Sequence, residues 1–170
     1  RRDAQPGEIE RLGAAYLDHL SRHAALPGAK GALEGVHEIL EHLRPRADAV
    51  LALGTGNLER GARIKLAPYR LNEFFPIGGF GSDSEDRPEL LRIGHRRAES
   101  AAGERIPAER VYVIGDTILD VSAARAAGYR AVAVASGGST YEQLVAVKPD
   151  HTMRSLREAF DWLKALEAAA

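Results

Sequence analysis

Short apolar runs alternate with longer stretches in which apolar residues return every three or four positions, and this alternation organises the chain. From Gly7 to about Ala25, the residues Ile9, Leu12, Ala15, Tyr16 and Leu20 recur at helical spacing and predict an amphipathic helix. Leu26-Pro27-Gly28-Ala29 breaks it. A second helix carries Val36, Ile39, Leu40 and Leu43 on one side, and Pro45 ends it. Ala49 to Leu53 reads as a strand that opens into Gly54-Thr55-Gly56-Asn57, and a helix runs from Leu58 to about Tyr69. Pro76 to Phe80 is a short strand, followed by the polar loop Gly81 to Pro88 and a helix from Glu89 to about Ala102. Val111 to Ile114 is apolar and β-prone, and it reads as a strand buried on both faces, as in parallel sheets. A helix follows with a small-residue face at Val121, Ala124 and Ala127, and Gly128 suits its C-terminal cap. Arg130 to Ala135 is the next strand, Tyr141 to Val147 a short helix, Pro149 to Thr152 an edge segment, and Arg154 to Ala170 the closing helix. Strands alternating with helices give a parallel α/β sheet with right-handed crossovers.

Ligands of such sheets bind at the carboxyl ends of the strands, so the residues there define the candidate chemistry. Asp116 ends the central strand behind Gly115, and Asp120 falls in the first turn of the next helix, where the helix dipole favours an acid. Two carboxylates on one rim make a hard oxygen site suited to magnesium, against the alternative of a helix cap plus a solvated acid. After the earlier strand, the Thr55 hydroxyl and the Gly56 and Asn57 amides can hold a phosphate oxygen at a helix N-terminus, or Asn57 can simply cap that helix. Lys65 either snorkels from the core edge or reaches toward a phosphate. Arg87, the cation of the acidic loop, either pairs with Glu85 or Asp86 or presents its donor fork to phosphate. Ser136 to Thr140 is a further rim loop or an ordinary turn. His19 and His23, four residues apart, have no third metal ligand near them in sequence and read as a solvated face; His151 reads as structural.

Composition narrows the classes. The net charge is -1, so no basic surplus points to nucleic acid and no acidic excess to a basic partner. Cysteine is absent, which removes disulfides and thiolate chemistry and fits a reducing, cytoplasmic setting. No apolar run approaches the roughly 20 residues of a membrane span. The 170 residues suit one domain, or one domain with part of another.

The residues together resemble the haloacid dehalogenase superfamily of phosphohydrolases, especially its phosphoglycolate phosphatase-like branch. Leu51 to Asn57 is similar to that family's second motif, whose Thr or Ser binds phosphate, and Val113 to Asp120 to its fourth, whose acids hold magnesium. Ala123 to Gly128 continues the pattern. The third motif, a Lys or Arg beside the nucleophile, best matches Arg87-Pro88, with Lys65 as second choice. The resemblance implies a Rossmannoid three-layer α/β/α core over residues 26–170, with residues 1–25 as the end of a helical cap. It implies magnesium-dependent hydrolysis of a small phosphorylated metabolite through an aspartyl-phosphate. Asp116 and Asp120 would hold Mg2+, Thr55, Gly56 and Asn57 would bind substrate, and Thr55, Arg87 and Lys65 would act in catalysis.

One element of that family is missing. Its first motif is a strand ending in Asp-x-Asp, and Asp18, Asp48 and Asp83 do not follow an apolar strand. The resemblance places the missing strand between those ending at Thr55 and Asp116, so a longer protein supplying it is expected. A magnesium-independent dehalogenase, a non-catalytic phosphate-binding relative and a phosphoacceptor domain are the alternatives. The paired acids argue against the first, and the lack of an acceptor Asp with a paired acid near the start argues against the last.

Overall fold

The computed structural model of the chain describes residues 6–24 and 31–168. The break at Leu26 to Ala29, the boundary at 25/26 and the ends at Arg1 to Gln5 and Ala169 to Ala170 lie outside the described residues. The elements run α1 (Pro6–His23), α2 (Val36–Leu43), β1 (Ala52–Thr55), α3 (Glu59–Leu66), β2 (Ile77–Phe80), α4 (Arg87–Ala102), β3 (Tyr112–Gly115), α5 (Ile118–Ala127), β4 (Arg130–Val134), α6 (Tyr141–Ala146), β5 (His151–Met153) and α7 (Ala159–Ala168). Type and order follow the periodicity, while several boundaries move. β1 starts at Ala52 rather than Ala49, because β2 offers partners only from Ile77, which faces Ala52. The helix expected to reach Tyr69 stops at Leu66 and passes into a 3-10 turn containing Pro68. The closing helix begins as a 3-10 turn at Leu156–Glu158 and turns α-helical only at Ala159.

All strand pairs are parallel, as expected, but the strands form two sheets. β1 pairs with β2, running from Ala52↔Ile77 to Thr55↔Phe80. β3 pairs with β4, and β4 with β5. Among the described residues no strand of one sheet pairs with a strand of the other. β4 is the buried centre of the larger one, with Ala131 to Val134 at most 2% exposed. On one face it packs Val121, Ala124 and Leu144 of α5 and α6, and on the other Ile39 of α2 and Ala159 of α7. Each fully buried Val or Leu there stabilises the fold by roughly 1.5–3 kcal/mol.

Helices hold the two sheets together. α4 packs on β1 and β2 and also on α5, which lies along β3 and β4. Its approach to β2 is so close that a Cβ on Gly79 would fall 1.8 Å from the Leu90 carbonyl oxygen. On the opposite face α2 sends Ile39 into the core of β4 and β5 and Leu40 into a core with Leu51, Leu71 and Phe74.

The expectation that β3 is buried on both faces is overturned. Tyr112 is 37% and Ile114 46% exposed. Among the described residues β3 pairs only through its β4 side, and its other edge faces a cleft of about 700 Å³. The free edge of β1 lines the same cleft. Burial of an apolar strand depends on its neighbours, and here one flank has none.

Candidate active site at the carboxyl rim

The loops leaving β1, β2, β3 and β4 meet at one rim and are tied to one another. The Gly81 amide donates to the Asn57 carbonyl at 2.9 Å, and the Glu59 amide to the Ser82 hydroxyl at 3.3 Å, joining the first two loops. Arg87 donates to Asp120 Oδ1 at 2.5 Å, joining the loop after β2 to α5. The Gly138 amide donates to Asp116 Oδ2 at 2.9 Å, joining the loops after β3 and β4.

Thr55 closes β1. Its hydroxyl oxygen accepts from the Asn57 amide at 3.2 Å and from Asn57 Nδ2 at 2.8 Å. A hydroxyl has one donor and two acceptor lone pairs, so this arrangement leaves the Thr55 O–H to be donated outward. Asn57 is not the helix cap: Leu58 stands at that position with no side-chain cap bond. Asn57 instead bridges Thr55 to Lys65, whose ammonium donates to Asn57 Oδ1 at 2.7 Å. Lys65 thereby reaches the rim rather than only snorkelling along the core.

Arg87 is at the first position of α4, just after Asp86, which caps that helix by accepting the Glu89 amide at 3.1 Å. Its ion-pair partner is Asp120, 33 residues away, rather than neighbouring Glu85 or Asp86. Asp120 is heavily committed. Its Oδ2 accepts the Thr117 amide and hydroxyl at 3.0 and 2.7 Å, while Thr117 caps α5 through the Asp120 amide, giving a reciprocal capping box. Asp116 is freer: Oδ2 takes the Gly138 amide, and Oδ1 has no hydrogen bond among the described residues. Gly138 is needed for this contact, since a Cβ there would lie 2.8 Å from Asp116 Oδ2 and 2.7 Å from Thr117 Cγ2.

Asp116 and Asp120 differ in how they suit a magnesium ion. Magnesium takes one or two carboxylates, with waters and phosphate oxygens completing its shell. The free oxygen of Asp116 fits that chemistry. Both oxygens of Asp120 already have partners, so it fits as the group that fixes Arg87 and the α5 turn. Among the described residues no cluster of three or more His, Cys, Asp or Glu side chains is placed to hold a metal. His19 and His23 stack on each other with ring centroids 4.0 Å apart, and His151 stacks on Trp162.

Periodicity did not reveal one further element. Asp83 does follow an apolar strand, three residues after β2. Its carboxylate accepts the Phe80 amide at 2.9 Å and two Arg97 donors at 2.6 and 2.8 Å, while Arg97 also donates to the Gly78 carbonyl at 2.6 Å. The Arg97 guanidinium, then the Phe80 amide, hold the Asp83 carboxyl below the usual carboxylate range, and Asp83 in turn raises Arg97. This clamp fastens the loop that leads into Arg87 onto α4. The 14-residue separation of Asp83 and Arg97 leaves no local sequence signal.

Residues 88–159 match the family model described as HAD-hydrolase-like. A haloacid dehalogenase-like family hydrolase from Streptococcus pneumoniae superposes with a TM-score of 0.70 at 17% identity, covering 94% of this chain and 72% of that one. A predicted phosphoglycolate phosphatase from Haemophilus somnus gives 0.69 at 17%, covering 95% and 69%. A HAD family hydrolase from Deinococcus radiodurans, solved with bound phosphate and sodium, gives 0.61 at 20%, covering 93% and 67%. No curated protein matches the sequence. The chain thus carries the sequence pattern of HAD-like hydrolases over residues 88–159 and has the fold of the haloacid dehalogenase-like hydrolases.

Proposed function

We propose that the chain is the core of a magnesium-dependent phosphohydrolase acting on a small phosphate monoester, in which a carboxylate from a segment outside these 170 residues is the nucleophile. The observation that carries this reading is the rim itself: the Thr55 hydroxyl, the cations Lys65 and Arg87, and the free oxygen of Asp116 stand on segments that hydrogen bonds tie together. A dianionic phosphate needs donors and positive charge on its non-bridging oxygens. Thr55 and the Gly56 amide donate to it, and Lys65 and Arg87 offset its charge. Asp116 would hold magnesium through Oδ1, and the ion would supply Lewis-acid charge when bound. Asp120 keeps Arg87 extended toward the site while its capping box fixes the turn that presents Asp116. That the Deinococcus radiodurans hydrolase, a neighbour in fold, was solved with bound phosphate and sodium supports a phosphate ligand. A small phosphorylated metabolite is the proposed substrate class.

The test is turnover of p-nitrophenyl phosphate by the full-length enzyme with magnesium. Asp116→Ala is expected to abolish it, as is a chelator on the unaltered enzyme. Unchanged turnover in either case overturns the metal assignment, and a chelator-insensitive enzyme that releases halide points to dehalogenation instead.

A further inference from the structure

We infer that Lys65 works on the bound anion through Asn57: it holds the Asn57 carboxamide in the one orientation that obliges the Thr55 hydroxyl to donate to a phosphate oxygen. This role rests on the phosphate site proposed above and makes Lys65 a positioning residue there. Three hydrogen bonds carry it. The Lys65 ammonium donates to Asn57 Oδ1 at 2.7 Å, Asn57 Nδ2 donates to the Thr55 hydroxyl oxygen at 2.8 Å, and the Asn57 backbone amide donates to that same oxygen at 3.2 Å. The ammonium thus stands the width of an amide group and two hydrogen bonds away from the hydroxyl it governs.

Donor and acceptor chemistry gives the chain of bonds its direction. An ammonium only donates, so Lys65 meets the oxygen of the Asn57 amide and never its nitrogen. With Oδ1 held there, the Nδ2 side is turned onto Thr55. A hydroxyl has two lone pairs and one proton. Asn57 takes both lone pairs of Thr55, and among the described residues no group accepts the proton. That proton is left for a ligand oxygen. Without Lys65 the Asn57 amide is free to turn over and set Oδ1 against Thr55. Oδ1 would then accept the Thr55 proton, and the donor would point back into its own loop. The Lys65 charge acts in the same sense. A cation on Oδ1 polarises the amide, which strengthens the Nδ2 bond and makes the Thr55 O–H a stronger donor in turn.

A double-mutant cycle tests this, read as binding of inorganic phosphate to the full-length protein with magnesium by titration calorimetry. Lys65→Met is expected to weaken phosphate binding about tenfold or more. In a Thr55→Val background, where no proton remains to be directed, the same change should weaken it by no more than about threefold. An Asn57→Leu background, which lacks the intermediary, should silence Lys65→Met to the same extent. Lys65→Arg keeps a cation that only donates and is expected to stay within about threefold of the parent. Lys65 is exposed, so circular dichroism of its variants is expected to match the parent. An equal loss with and without the Thr55 hydroxyl means that the ammonium touches the anion itself, and overturns the role. So does parental affinity in Lys65→Met, a loss in Lys65→Arg as large as in Lys65→Met, or a parent that binds no phosphate. Coupled losses in binding, with no turnover of p-nitrophenyl phosphate, would leave the role of Lys65 standing and sink the phosphatase reading. Turnover with uncoupled losses would do the reverse.

Discussion

Gly79 and Gly94 face each other where α4 meets β2, yet they should respond very differently to the same substitution. A Cβ at Gly79 would lie 1.8 Å from the Leu90 carbonyl oxygen, 2.7 Å from its carbon and 3.1 Å from the Gly94 nitrogen. These are helix backbone atoms that no rotamer change can move aside, so Gly79→Ala requires α4 to shift by more than an ångström. Overpacking of this kind costs about 1–3 kcal/mol or more, and the rigid obstacle places Gly79→Ala at the upper end, about 3 kcal/mol. For a domain of this size each kcal/mol moves the melting temperature by about 2–4 °C, giving a fall of about 6–12 °C. A Cβ at Gly94 would sit 3.0 Å from the Gly79 nitrogen, a contact relieved by a few tenths of an ångström. Alanine in a helix interior also gains up to about 1 kcal/mol over glycine, so Gly94→Ala should shift the melting temperature by no more than about 4 °C. Thermal unfolding followed by circular dichroism measures both. A Gly79→Ala melting temperature within about 2 °C of the parent, or a larger loss in Gly94→Ala, would refute the packing argument.

Three further outcomes complement the Asp116→Ala test. Asp83 is depressed in the folded state, so its contribution is fully present above the unfolded carboxylate value and is lost as pH falls through the lower folded one. Asp83→Asn should therefore cost about 1 kcal/mol in urea unfolding at pH 6, because Arg97 is partly exposed, and the difference should shrink below about pH 4. Gly138→Ala places a Cβ against Asp116 Oδ2 and displaces the backbone amide that donates to it, so phosphatase turnover in the full-length enzyme should fall about tenfold or more with little change in melting temperature. Thr55→Val keeps the side-chain shape and deletes the outward O–H; inhibition by inorganic phosphate should weaken about tenfold, and unaltered inhibition would remove Thr55 from the anion site.

The sequence by itself determined the kinds and order of the elements and most residues of the rim. Periodicity, a glycine after an apolar run and an acid in a first helical turn are local features, legible from neighbours along the chain. Thus Thr55 and Asp116 stand at strand ends and Asp120 in a first helical turn, as the pattern predicts, and Gly128 caps α5 as expected, with φ 86°. What the tertiary structure decided depends on residues far apart in sequence. Arg87 was placed between local partners and phosphate, but packing of α4 on α5 gave it Asp120. Asn57 resembled a cap, but the approach of Lys65 made it a bridge. Asp83 reads in sequence only as one acid of a polar loop that follows no apolar strand, whereas it stands three residues after β2 and α4 brings Arg97 to it. The largest difference concerns β3, whose apolar residues predicted burial on both faces. Composition records only that a side chain suits a dry environment; whether it is dry depends on what lies alongside, and among the described residues β3 has a cleft of about 700 Å³ beside it.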